Sequence, residues 1–131
     1  MRRVLFGLVG LMVAGSAQSA ETYGFTALLH GGKSRLQTLI HCPEPARMNG
    51  RVPERCTLSE RSTAYPDTKI PSSFEPGVTC AADHPIAFHR SGALAYCKLE
   101  RVQTFVTRDP SGSTICSGYV TFDEDGFAEC D

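Results

Sequence analysis

Six cysteines constrain this chain more than any other feature. They are Cys42, Cys56, Cys80, Cys97, Cys116 and Cys130, in a sequence of 131 residues. An even number in a short exported chain reads as a disulfide framework. No two of them form a Cys-x-x-Cys pair, so neither a thioredoxin-type redox motif nor a zinc knuckle is available. There is no Trp, and a stack of hairpins one layer deep buries a single face, so hydrophobic burial alone would leave such a domain marginal. A disulfide closing about fifteen residues adds ~3 kcal/mol in the chain-entropy account. The cysteines therefore read as staples rather than reagents.

Around them the sequence repeats itself. One unit runs from Cys42 through Asn49-Gly50 to CTL at Cys56. A second runs from Cys80 through Ser91-Gly92 to CKL at Cys97, and a third from Cys116 through Asp125-Gly126 to Cys130. In the last two, Phe88 and Phe122 each precede three polar residues and a Gly. The first unit lacks the Phe, as terminal repeats often do. The favoured pairing stays within each unit, Cys42–Cys56, Cys80–Cys97 and Cys116–Cys130. A competitor links the units, Cys56–Cys80 and Cys97–Cys116, leaving Cys42 to meet Cys130.

Asn-Gly and Asp-Gly supply the positive φ of a two-residue hairpin turn, and Ser-Gly does so more weakly. The flanks alternate at period two, as in Tyr119 to Asp123 and in Leu94 to Leu99, which suits strands with one buried face. TYGFTALL and VQTFVT are further strand candidates. SRLQTLI is ambiguous, and YPDTKIPSSFEPG reads as a loop. The expected fold is all-β: tandem antiparallel β-hairpin repeats forming a sheet, stapled by three disulfides.

These hairpins resemble MORN-type repeats, through Phe88, Gly92 and Leu99 in the second unit and Phe122 and Gly126 in the third. The resemblance implies short hairpins stacked side by side into one elongated sheet. The family's unit is shorter and richer in Gly and Tyr. The pattern FH-x-x-G…C-x-L is also similar to hairpins of small exported bacterial proteins. Neither resemblance implies an active site.

Residues 1–20 have the layout of a secretory signal peptide: Arg2 and Arg3, an apolar run from Val4 to Ala14, then small residues. That run covers roughly 16 Å as a helix, half a bilayer core. Residues 21–131 then form a single disulfide-rich domain, periplasmic or secreted, with no membrane span in the mature chain. With 11 basic and 14 acidic residues after position 20 its net charge is −3, which offers no general field for nucleic acid. The charge is uneven. Lys33 to Arg61 holds six basic and three acidic residues, and Asp109 to Asp131 holds six acidic and no basic ones.

Chemistry is harder to find. His84 and His89 could bind zinc only if both rings faced one way, and five positions apart on a strand they point to opposite faces. His89 is expected on the exposed face of its hairpin. His41 beside Cys42 suggests a nucleophilic pair, but a staple leaves no thiolate. FDEDG resembles half of a calcium loop and lacks the later carboxylates and the downstream Glu. No cofactor, metal ligand or catalytic residue is expected, and the chain does not read as an enzyme. The carboxylates of Asp123, Glu124 and Asp125 crowd one turn, repel one another and serve a fold poorly, so they are the candidate contact for a protein partner. The expected function is an exported binding or structural module for an envelope or extracellular protein. The alternatives are an inhibitor of a cationic hydrolase such as lysozyme, and a small secreted enzyme. Oligomeric state is left open.

Overall fold

Alternating apolar and polar residues place side chains on opposite faces of an extended chain, and a buried face then demands a partner strand. Twelve strands meet that demand in the computed structural model, which describes residues 21–67, 77–108 and 112–131. They are β1 (Glu21–Leu29), β2 (Ser34–Cys42), β3 (Arg47–Asn49), β4 (Val52–Thr57), β5 (Ser62–Ala64), β6 (Val78–Cys80), β7 (Pro85–Phe88), β8 (Leu94–Lys98), β9 (Gln103–Val106), β10 (Ser113–Cys116), β11 (Tyr119–Phe122) and β12 (Ala128–Cys130). No helix occurs among the described residues, and every strand pair is antiparallel. The proposed signal peptide, most of the proline-rich loop and Asp109 lie outside the described residues.

Six strands form one sheet in the order β3-β4-β7-β8-β11-β12. The others form three two-stranded ribbons, β1–β2, β5–β6 and β9–β10. The chain is therefore three tandem units, each a ribbon followed by a hairpin of the sheet. Each disulfide, Cys42–Cys56, Cys80–Cys97 and Cys116–Cys130, ties the second ribbon strand to the second hairpin strand of its own unit. The pairing between units does not form.

The ribbons correct the expectation of a single layer. They supply a second apolar surface against the sheet. Phe25, Ala27 and Leu29 on β1 are buried in alternation with Thr26 and Leu28. The Phe25 ring meets Phe88 edge-on at 4.9 Å, and Phe105 meets Phe122 at 5.2 Å, the edge-to-face geometry aromatic pairs favour. One core runs through all three units, from Phe25 and Ile40 through Ile86 and Leu94 to Val120 and Phe122. SRLQTLI, ambiguous in sequence, lies within β2 because TYGFTALL in β1 offers it seven residue pairs, from Leu29–Ser34 to Tyr23–Ile40.

The C-x-L motif has a structural meaning. Leu58 and Leu99, two residues after Cys56 and Cys97, are buried. Their N–H groups donate to His84 O and Gly118 O at 3.0 and 2.9 Å, just ahead of the next hairpin. The following residues, Ser59 and Glu100, donate back to His41 O and Thr79 O in the ribbons. Each Leu thus locks one unit against the next with apolar burial and a backbone bond, and the residue after it ties the link back to the ribbon of its own unit.

Candidate interaction surface

The sheet turns one face to the core and the other to solvent. Residues directly opposite one another form a row across all six strands of the outer face: Arg47, Arg55, Ala87, Tyr96, Thr121 and Glu129. The register holds because Cys56 faces Ile86 and Cys97 faces Val120 on the buried side. The Ser91-Gly92 hairpin carries a register shift between Ala87 and Phe88, where Leu94 and not Ala95 opposes Phe88.

At the centre of the row Tyr96 stacks on Tyr119, with ring centroids 5.1 Å apart and planes within 10°. His84 meets Tyr119 edge-on at 5.8 Å, and its Nδ1 is hydrogen-bonded to the Tyr119 hydroxyl at 2.9 Å. Partial desolvation raises the Tyr96 hydroxyl above its ordinary range; Tyr119 and Asp131 add to the rise, and Arg55 opposes it. Charge is ordered along the same face. Arg47, Arg51 and Arg55 sit on or beside β3 and β4, and Glu129 and Asp131 on or beside β12. The uneven charge in the sequence thus becomes a gradient along the strand order, because the hairpins are laid down in sequence order.

Asp123, Glu124 and Asp125 lie in the turn between β11 and β12. The structure revises the view that they serve the fold poorly. Arg108, one residue upstream of the acidic stretch, reaches Asp123 Oδ2 at 2.7 Å and Asp125 Oδ2 at 3.0 Å through Nη2. Its guanidinium also covers the Phe127 ring at 4.4 Å, a cation–π arrangement. The other oxygen of Asp123, Oδ1, accepts the N–H groups of Asp125 and Phe127 at 2.9 and 3.0 Å. Partial burial acts to raise the Asp123 carboxyl; the Arg108 hydrogen bond, the two backbone N–H groups and the Arg108 charge outweigh it and hold the group below the usual carboxylate range. The hydrogen bonds that Arg108 donates to Asp123 and Asp125 keep it more firmly protonated. Glu124 alone of the three is exposed, with Asp123 and Asp125 half-buried.

The remaining sequence candidates take structural places. His89 is half-buried rather than on the exposed face, and its Nε2 bonds Phe122 O at 2.9 Å, joining the second hairpin to the third. His84 and His89 thus reach different partners. His41 bonds Thr22 Oγ1 through Nδ1 at 3.0 Å and lies 3.5 Å from Glu60. Sequence reasoning missed Arg108, Tyr96 and Tyr119. The period-two pattern could have placed both tyrosines on one face, but their adjacency depends on pairing between units. Comparison of the chain with protein families, characterised proteins and solved structures finds no match.

Proposed function

We propose that this chain is an exported binding module that holds a protein partner on the outer face of its six-stranded sheet. The observation that carries the reading is the Tyr96–Tyr119 stack set midway along the charge gradient. Half-exposed tyrosines offer large contact area at small entropic cost, and aromatic residues dominate interface energetics. Flanking charges of opposite sign would orient a partner of complementary polarity and speed its association. Three disulfides are compatible with an oxidising compartment such as the periplasm or the cell exterior. The acidic turn offers a cationic hydrolase less than its sequence suggests, since Arg108 already faces two of its three carboxylates.

The test is capture from periplasmic extract on the immobilised, disulfide-intact chain, beside a Tyr96→Ser variant of unchanged melting temperature. The reading expects a saturable partner that salt releases and that the variant holds at least about tenfold more weakly, as for an interface hot spot. Equal retention by both chains would sink it.

A further inference from the structure

The threefold repeat leaves two strands without an outer neighbour. Each junction between units joins the last strand of one hairpin to the first strand of the next. β4 meets β7 through Arg55–Ala87, Cys56–Ile86 and Thr57–Pro85. β8 meets β11 through Tyr96–Thr121, Cys97–Val120 and Lys98–Tyr119. β12 is the last strand of the third hairpin and β3 the first strand of the first, and among the described residues neither is paired on its outer side. We infer that β12 of one copy pairs antiparallel with β3 of a second copy, with Glu129 opposite Arg47, so that the six-stranded sheet continues head to tail.

The register follows from the repeat. The residue before the second cysteine, Arg55 or Tyr96, faces Ala87 or Thr121 across each junction. Glu129 holds that position before Cys130. Within the hairpins Ala87 faces Tyr96, Thr121 faces Glu129 and Arg47 faces Arg55, so Arg47 is the β3 counterpart of Ala87 and Thr121. Continuing the row by one step therefore sets Glu129 against Arg47 of the next copy.

Charge favours this step. Arg47 and Arg55 are like charges directly opposite one another, an unfavourable cross-strand pair. Arg47 also lies 3.4 Å from Glu54, but both side chains are largely exposed, at 83% and 48%, and such a pair contributes little. A carboxylate on the free side of Arg47 offsets the repulsion. On the β12 side the edge groups suit as well, while on the β3 side the Ala46 N–H already donates to Tyr23 Oη at 2.7 Å, so a Cys130–Ala46 pair has the Ala46 carbonyl to offer. Asp123 and Asp131 donate their N–H groups to Phe127 O and Tyr119 O across the β11–β12 hairpin. Antiparallel alternation then turns the N–H and C=O of Ala128 and Cys130 outward. Beside them lies an open cleft of about 610 Å³ between β12 and the β9–β10 ribbon, lined by Thr114, Ala128, Glu129 and Cys130 among others. A head-to-tail contact of this kind is heterologous and propagates. With three residue pairs per junction it is weak and reversible.

Sedimentation of the disulfide-intact chain over a wide concentration range tests the inference, independently of any partner on the outer face. The wild type should show a mass that rises with concentration and falls with salt. Glu129→Arg and Arg47→Glu should each weaken self-association by about tenfold, through loss of the pair and gain of a like-charge contact. An equal mixture of the two variants should recover it, because each then meets the opposite charge. Amide exchange of the wild type should show Ala128 and Cys130 gaining protection as concentration rises. A wild type that stays monomeric, reversals without effect, a mixture that remains as weak as its components, or protection gained only elsewhere would each overturn the inference.

Discussion

The turns of the second and third hairpins share a backbone and differ in what holds them. In the second, His89 N–H donates to Ala93 O and Gly92 N–H to His89 O, both at 2.9 Å. In the third, Asp123 N–H donates to Phe127 O and Gly126 N–H to Asp123 O, at 3.1 and 2.9 Å. Gly92 and Gly126 have φ of 91° and 85°. Both are three-residue loops closed by a left-handed Gly, not the two-residue turns expected from the dipeptides. The first hairpin does have a two-residue turn, between Asn49 and Val52, with Gly50 at φ 66°. Phe, three polar residues and Gly therefore encode the turn, and the polar residues are free to differ. In the second turn His89 reaches into the next unit, and β1 lies over the turn, with Leu28 N–H donating to Ser91 O. In the third turn Asp123 folds back on its own loop and Arg108 covers it. One turn is thus held by its neighbours and the other largely by itself.

That contrast can be broken most severely at Gly92. A Cβ there would lie 2.8 Å from Thr26 O and 2.9 Å from Ala27 Cα, both backbone atoms. Gly92→Ala should cost about 4 kcal/mol, combining left-handed strain with displacement of β1. Gly50→Ala, where nothing among the described residues lies within 4 Å of the added carbon, should cost only about 1–2 kcal/mol for the strain. Urea unfolding of both variants measures the difference. Equal losses would show that β1 yields without cost.

The next largest effects separate the two anchors. Asp123→Ala removes a charged acceptor of two backbone N–H groups and should cost about 2 kcal/mol. Glu124→Gln should stay within about 0.5 kcal/mol, as surface changes do. His89→Ala should cost about 1 kcal/mol for its hydrogen bond and should raise amide exchange in the second and third hairpins together, whereas Asp123→Ala should raise it in the third alone. If Asp123→Ala is neutral, the turn needs no internal anchor.

Acid provides a milder probe of the third turn. The Asp123 carboxyl is held below its ordinary value of 3.8 in the folded chain. Its contribution is therefore fully present above that value and is lost as pH falls through the depressed folded value. Melting followed from pH 5 downward should decline less steeply in Arg108→Ala than in the wild type, because Arg108 is the main group favouring the ionised form. A parallel decline would assign the acid sensitivity elsewhere.

One expected change is a gain. The Thr38 hydroxyl on β2 is buried and has no hydrogen-bond partner among the described residues. Thr38→Val keeps the shape and removes an unsatisfied polar group, so it should stabilise by about 1 kcal/mol. A loss in thermal unfolding would mean that the hydroxyl finds a partner in solution.

Much of this architecture was legible in the chain. Period-two alternation marked β8 and β11, and Gly at positive φ marked all three hairpins. The cysteine spacing favoured closure within units, because each unit contains its own turn between two cysteines. The ribbons were only half legible. β5, β6 and β10 have three or four residues each, too few for a pattern to separate strand from loop. Of the surface described above, the acidic turn was visible as composition and the tyrosine stack was not. Tyr96 and Tyr119 lie in different units, and only the β8–β11 register brings them together.

Short-range features of the chain account for the all-β class, the cysteines as staples with a preference for pairing within units, and the places of the three turns, because cysteine spacing, alternation and left-handed glycines act over a few residues. Tertiary structure alone decided that ribbons cover the sheet, that Arg108 answers two carboxylates of the acidic turn, and that charge runs in order along the outer face. These depend on strands distant in sequence meeting in one register. That register is set by burial of Cys56, Ile86, Cys97 and Val120 together, a condition no local stretch of the chain contains.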